Sequence, residues 1–246
     1  MIPIRDDAPR FGTPWVNYLL MAANTLVFLF EVLLSSSQRN LLIFEFGFIP
    51  GRITALLHGT HHLSTRGLIL PVTPDTALLP VLTSMFLHAS WLHLIFNMWA
   101  LWIFGDNVED YLGHFWYLVF YFLSGCGAAV LHFMLNTGSR IPSVGASGAI
   151  AGVMGAYLIL YPSAQVLTLV PLLFFFTFIH LPAWLVLGYW FLAQFLAGTA
   201  TAIAYSNQTS GGVAFWAHVG GFVTGATLIK LFPSRPRRYR FGNWYS

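Results

Sequence analysis

Apolar residues along this chain come in long blocks rather than in amphipathic stripes. A block of about 17 to 25 apolar residues is long enough to cross a bilayer as a helix. Blocks of that kind fall at residues 15–34, 81–105, 114–135, 182–204 and 213–232. A further block at residues 147–161 is shorter: as a helix it would rise only about 22 Å, against a hydrocarbon core of about 30 Å. The pattern predicts an all-α polytopic membrane protein with a six-transmembrane-helix bundle at residues 15–232, an N-terminal segment 1–14 and a basic tail 233–246.

The connections differ in kind. Residues 35–80 form a long first loop that is neither a clean span nor hydrophilic, its apolar run 41–50 broken by Glu45, Gly47 and Pro50. Such short stretches suit segments lying in or near the membrane interface, so this loop is expected to be partly membrane-embedded. Residues 106–113 read as a short acidic turn, and residues 162–171, which carry no charge, as a segment re-entering the interface.

Composition agrees with the pattern: 57% of residues are hydrophobic and 8% charged, where soluble domains carry about 25% charged residues. The net charge of +3 is small and lies mainly at the ends, with Arg5 and Arg10 before the first span and Lys230, Arg235, Arg237, Arg238 and Arg240 following the last. Basic residues flanking spans fix orientation and favour anionic headgroups. The lipid bilayer is therefore the expected partner of the basic tail, and no nucleic acid. Six spans put both termini on one side. The reading is a bacterial cell (inner) membrane, both termini cytoplasmic, with the site opening to the extracytoplasmic side. A lone cysteine, Cys126, excludes an intrachain disulfide. Asn207 with Thr209 fits a glycosylation acceptor, relevant only in a eukaryotic secretory route. No paired broken helices mark an inverted-repeat transporter.

Two polar residues stand out against this apolar background. Ser147 heads the short fourth block, in Gly145-Ala-Ser-Gly148, and His218 sits near the start of the last, in Ala217-His-Val-Gly-Gly221. The first turn of a helix leaves N–H groups unpaired and its dipole favours negative charge, which is what an oxyanion needs. Gly145 and Gly148 allow a tight turn and the close approach of a carbonyl. Read alone, Ser147 is equally a helix N-cap. Small residues at Ser147, Ala151 and Gly155 face a similar stripe at Ala217, Gly221 and Gly225, and such stripes let membrane helices approach closely. That would bring Ser147 and His218 to one depth, as nucleophile and general base. No Asp or Glu follows Asp110, so the expected chemistry is a dyad rather than a triad, and Glu31 in the first span has nothing to recommend it. His93 and Asn97, spaced i, i+4, share a helix face and can donate to an oxyanion; His88 lies nearer the surface. His58, His61 and His62 raise the question of metal, but no His-Glu-x-x-His pattern is present, and neither metal nor cofactor is expected. His114, His132 and His180 read as interfacial residues.

At these residues the chain resembles the rhomboid family of intramembrane serine proteases. The resemblance is carried by His88, His93-x-x-x-Asn97, Glu109 with Gly113, Gly145-x-Ser147-Gly148, and Ala217-His218-x-Gly220-Gly221 with Gly225, over residues 15–232. It implies Ser147 as nucleophile, His218 as base, His93 and Asn97 with the Ser147 N–H at the oxyanion, and a structural role for Glu109. It implies a substrate gate in the fifth helix, including Trp190, Phe191 and Phe195, with a cap at residues 205–212. The aromatic-arginine pair familiar in the family's first loop is not recognisable here. The implied activity is hydrolysis of transmembrane protein substrates. A catalytically silent relative that binds or escorts membrane proteins is the alternative.

Overall fold

The computed structural model describes residues 1–172, 175–204 and 215–234. The loop expected as a cap, the Asn207 acceptor and the tail beyond residue 234 lie outside the described residues. In chain order the elements are strand β1 (Ile2–Asp6), helices α1 (Trp15–Leu33), α2 (Ser36–Phe46) and α3 (Pro50–Leu57), strands β2 (His62–Thr65) and β3 (Leu68–Pro71), then short helices α4 (Pro74–Leu78) and α5 (Pro80–Thr83). There follow α6 (Trp91–Ala100), α7 (Asp106–Leu112), α8 (His114–Leu135), α9 (Ser147–Leu160), strands β4 (Gln165–Leu172) and β5 (Phe175–Pro182), α10 (Ala183–Ala204) and α11 (Phe215–Leu228).

Among the described residues three helices are long and apolar enough to cross a membrane, at Trp15–Leu33, His114–Leu135 and Ala183–Ala200. The pair Pro74–Phe86 and Trp91–Leu112 makes a fourth if it counts as one span, although it bends by 78°. The molecule is thus mostly helical with three to four candidate spans, and α9 and α11 are shorter apolar helices of 14 residues each.

Three expectations need correction. The second span does not begin at residue 81: the chain bends at residues 87–90, and the helix starts at Trp91 under a Ser90 cap whose hydroxyl accepts from the His93 N–H. The acidic segment 106–113 is not a turn. α6 runs through a π-helical stretch, Leu101–Gly105, into α7, which ends at Gly113 with φ 77°. In that stretch the Leu101 carbonyl accepts from the Asn17 side chain and the Tyr117 hydroxyl donates to Asn17 Oδ1. Third, the chain is not all-α. Residues 162–171 are not a re-entrant segment: β4, which takes up most of them, pairs antiparallel with β5, and β1 pairs on β4 in a sheet of order β1-β4-β5. The run is rich in Val, Leu, Thr and Phe, which fit a pleated surface, and the N-terminal segment closes it as a third strand. Tyr157 of α9 donates a hydrogen bond to Asp6, and the Trp99 indole donates to the Pro3 carbonyl at 2.6 Å.

Glu109 organises one end of the bundle. Its carboxylate accepts from the Val16 and Asn17 N–H groups at 2.9 and 2.7 Å, capping α1, whose own N-cap, Pro14, makes no side-chain cap. The same carboxylate meets His114 Nδ1 at 2.5 Å, so His114 is tied to the frame by a hydrogen bond.

The core sits where α9 packs between α8 and α11. A Cβ added at Gly221 would lie 1.9 Å from the Gly148 carbonyl oxygen, one at Gly225 2.0 Å from that of Gly152, and one at Gly155 2.2 Å from that of Phe222. Backbone therefore meets backbone, as small-residue interfaces permit. On α9 the closest approach runs through Gly155 and through Gly148 and Gly152, which flank the expected Ser147, Ala151 and Gly155 stripe. Gly220 faces α8, against Leu131 and Gly127.

Candidate active site

The first loop builds the floor under the serine. α2 starts with a capping box from Ser35 and Gln38. Arg52, 2% exposed, donates to the carbonyls of Glu45 and Thr76. From this frame Phe48 exchanges backbone hydrogen bonds with Ser143 in both directions, Gly51 N–H donates to Ser139, and Arg140 donates to Ser64. The segment leading into α9 is thereby held at several points before it reaches Gly145, whose N–H donates to the Ser84 carbonyl at 2.9 Å.

Gly145 has φ +125°, a conformation side chains rarely adopt, and a Cβ there would come within 2.6 Å of His93 Cε1. Glycine admits both the turn and the imidazole. Ser147 is the first residue of α9, half-buried, with Ala146 behind it fully buried.

Ser147 and His218 meet. His218 Nε2 lies 2.7 Å from Ser147 Oγ, which is hydrogen-bond distance. The other ring nitrogen, Nδ1, lies 2.7 Å from Oε1 of Gln194 on α10. Trp190, one turn earlier on α10, stacks obliquely on the His218 ring at 5.8 Å between centroids. Asn97 is buried, and its Nδ2 has no hydrogen-bond partner. An unpaired buried donor is costly, and this one lies one helical turn beyond His93 on α6. His88 is fully buried at the bend before α6, its ring 5.1 Å from that of His93.

The expected gate residues make ring contacts with α11. Phe191 packs on Phe222 at 4.8 Å and Trp190 on Phe222 at 6.1 Å, while Phe195, 42% exposed, meets Trp216 at 5.8 Å. They line the α10–α11 contact.

Three residues escaped the sequence reading. Gln194 was not singled out, although an amide in an otherwise apolar block is costly to bury without a partner, and that cost was the available signal. His132 is more than a helix-end residue: with Ser143, Ser147 and Gly148 it lines a cavity of about 40 Å³ beside the serine, room for at least one water at about 30 Å³ each. Glu31, set aside on sequence, is fully buried. It accepts from the His88 N–H at 3.0 Å and faces Arg39 Nε at 3.6 Å, while Arg39 also donates to the His88 carbonyl at 2.9 Å. Glu31 is bonded to His88 and Arg39, while His218 takes Gln194 and Ser147 as partners, so Glu31 clamps the bend on which His88 sits. His58 turns its Nδ1 to the Thr54 carbonyl, and among the described residues no three His, Cys, Asp or Glu side chains gather as metal ligands would.

A helical membrane protein that joins a serine to a histidine across two closely packed helices belongs to a narrow class. A family model described as "Rhomboid domain" matches residues 75–235, which takes in Ser147, His218, His93, Asn97 and Gln194 but not the first-loop residues before Asp75. The chain is 31% identical over 180 residues to Rhomboid protein 1, mitochondrial, of Saccharomyces cerevisiae, covering 69% of this chain and 48% of that protein. It is 32% identical over 163 residues to Presenilin-associated rhomboid-like protein A, mitochondrial, of Danio rerio (63% and 37%), and 30% over 156 residues to Rhomboid-like protein 11, chloroplastic, of Arabidopsis thaliana (63% and 52%). The chain belongs to the rhomboid family. It spans about half the length, or less, of the curated relatives it matches. These relatives also correct one expectation: they are named as mitochondrial or chloroplastic proteins, so the placement in a bacterial inner membrane, with the sidedness built on it, is withdrawn.

Proposed function

We propose that this chain is an intramembrane serine endopeptidase that hydrolyses peptide bonds in or near transmembrane segments of membrane proteins. The observation that carries the reading is the 2.7 Å contact between Ser147 Oγ and His218 Nε2. Residues 15–232 form the working unit, with α9 and α11 completing a six-span bundle around α1, α6, α8 and α10.

In this reading a substrate helix unwinds locally and presents a carbonyl to Ser147. His218 accepts the hydroxyl proton as Oγ attacks, and later gives it to the leaving amine. Negative charge on the former carbonyl oxygen meets the Ser147 N–H at the α9 terminus, His93 and the unpaired Asn97 amide; such preorganised donors are worth about 2.7–4 kcal/mol each. The ester left on Ser147 is then hydrolysed by water, for which the cavity that Ser147 lines with His132 and Ser143 offers space. The chemistry requires no cofactor. Glu109 holds the frame at the far end and takes no part.

The test uses purified protein in detergent, a fluorogenic transmembrane substrate, and the Ser147→Ala and His218→Ala variants. Cleavage by wild type and none by either variant supports the reading. Full activity in Ser147→Ala removes it, and binding without cleavage by wild type favours an escort role.

A further inference from the structure

We infer that Gln194 is a positioning residue for the general base, so that the site is a Ser147–His218–Gln194 relay with a neutral amide where a carboxylate commonly stands. The inference rests on the serine-peptidase reading and deepens it.

The argument starts from the imidazole's two nitrogens. A neutral histidine carries a proton on one nitrogen and a lone pair on the other, and the hydrogen bond at one decides the state of the other. Only a ring whose Nε2 lacks a proton can accept from the Ser147 hydroxyl. The Gln194 carbonyl oxygen, 2.7 Å from Nδ1, accepts and cannot donate. It therefore puts the proton on Nδ1 and turns the Nε2 lone pair to Ser147 Oγ, 2.7 Å away.

No carboxylate competes for this task. Every residue after Asp110 is free of Asp and Glu, and the titratable groups that face His218 from neighbouring elements are His93 of α6 and His132 of α8. An amide orients the ring and contributes a dipole, but it lends no full negative charge to the imidazolium formed during attack. In a low-dielectric interior, a buried carboxylate there would carry the larger desolvation cost.

The position of Gln194 adds a consequence. Trp190 and Gln194 are one turn apart on α10, and together they hold His218 on its face and at Nδ1. The base is thus oriented by the helix that walls the site. A displacement of α10 from α11 removes the acceptor and the stacking ring together. The relay is intact only while α10 is packed home.

The test compares Gln194→Met, which keeps length and removes the acceptor, with Gln194→Glu, which keeps the acceptor and adds charge. Each is assayed for kcat, KM and pH profile on the fluorogenic substrate, with melting temperature as a control for folding. Gln194→Met is expected to lose about 10–100-fold in kcat with KM nearly unchanged, as loss of an orienting partner does. Gln194→Glu is expected to keep activity and move the acid limb of the profile to higher pH, a shift that a purely structural role would not produce. Wild-type kcat and pH profile in Gln194→Met overturn the inference while leaving the Ser147 dependence, and so the parent reading, intact. Nitrogen-15 NMR of labelled histidine in bilayers tests it without any turnover. A proton on His218 Nδ1 in wild type, redistributed in Gln194→Met, supports it, and a proton on Nε2 in wild type overturns it.

Discussion

Replacing Gly221 with alanine separates the two halves of the site by one methyl group. The new Cβ would stand 1.9 Å from the Gly148 carbonyl oxygen and 2.9 Å from its carbon, whereas carbon–oxygen contacts settle at about 3.3 Å or more. The obstruction is backbone, which cannot rotate away, so α9 and α11 must part locally by about 1.4 Å. The Ser147–His218 contact spans the same pair of helices, one residue earlier than Gly148 on α9 and three earlier than Gly221 on α11. Stretched from 2.7 Å by that amount, it passes beyond the hydrogen-bond range of about 3.2 Å. Misplacement of reacting groups by about 1 Å costs on the order of 100-fold in rate, and overpacking costs about 1–3 kcal/mol of stability. Gly188→Ala on α10 is the control, since a Cβ there meets nothing within 4 Å. The assay is kcat on a fluorogenic transmembrane substrate, with thermal unfolding in the same detergent. Gly221→Ala should lose about two orders of magnitude in kcat at a temperature where it remains folded, and Gly188→Ala should match wild type. Wild-type kcat in a folded Gly221→Ala would refute the idea that backbone contact between α9 and α11 sets the pairing.

Other consequences are smaller in scope. Asn97→Ala removes a buried, unpaired donor, so it should cost little stability yet lower kcat by about 100-fold, the loss expected for one oxyanion donor; unchanged kcat would place Asn97 outside the chemistry. Glu31→Ala leaves the His88 N–H without its acceptor and Arg39 Nε without its carboxylate, while the guanidinium keeps the His88 and Ala89 carbonyls; it should cost about 1–3 kcal/mol, read by thermal unfolding, with Glu31→Gln milder because it can still accept from His88. Burial pushes the Asp6 carboxyl above its ordinary 3.8, so the folded chain holds that proton more tightly than the unfolded chain does. Its contribution to stability is then fully present below about pH 3.8 and declines as pH rises through the raised value. Asp6→Asn should flatten that slope in melting curves taken across acidic pH, and an unaltered slope would contradict the assignment.

What the sequence revealed and concealed follows one rule. Block hydrophobicity registers burial in lipid and little else. It therefore located α1, α8 and α10 closely, because nothing but an apolar helix fits those runs. It missed the bend at His88, since the apolar pattern continues through residues where the backbone turns. The β4–β5 hairpin escaped for a related reason: a short uncharged run of Val, Leu and Phe reads alike as buried strand or buried helix segment. Its third strand, β1, lies at the opposite end of the chain, where no local signal points to a partner. The serine and histidine were legible because a polar residue in hydrocarbon calls for an explanation. Gln194 and His132 answer to the same logic, but an amide carries no charge and His132 looked like a helix-end residue. Neither betrays its partner by spacing. Glu109 was placed by resemblance alone, and the hydrogen bonds that cap α1 supply its physical reason.

The most direct measurement is covalent. A fluorophosphonate, which reacts with an activated serine hydroxyl, should be incubated with the protein in detergent and its site of attachment mapped by mass spectrometry. A single adduct on Ser147 in wild type, abolished in His218→Ala, is the predicted result. An adduct of equal extent in His218→Ala, or labelling confined to other residues, would contradict the claim that His218 activates Ser147.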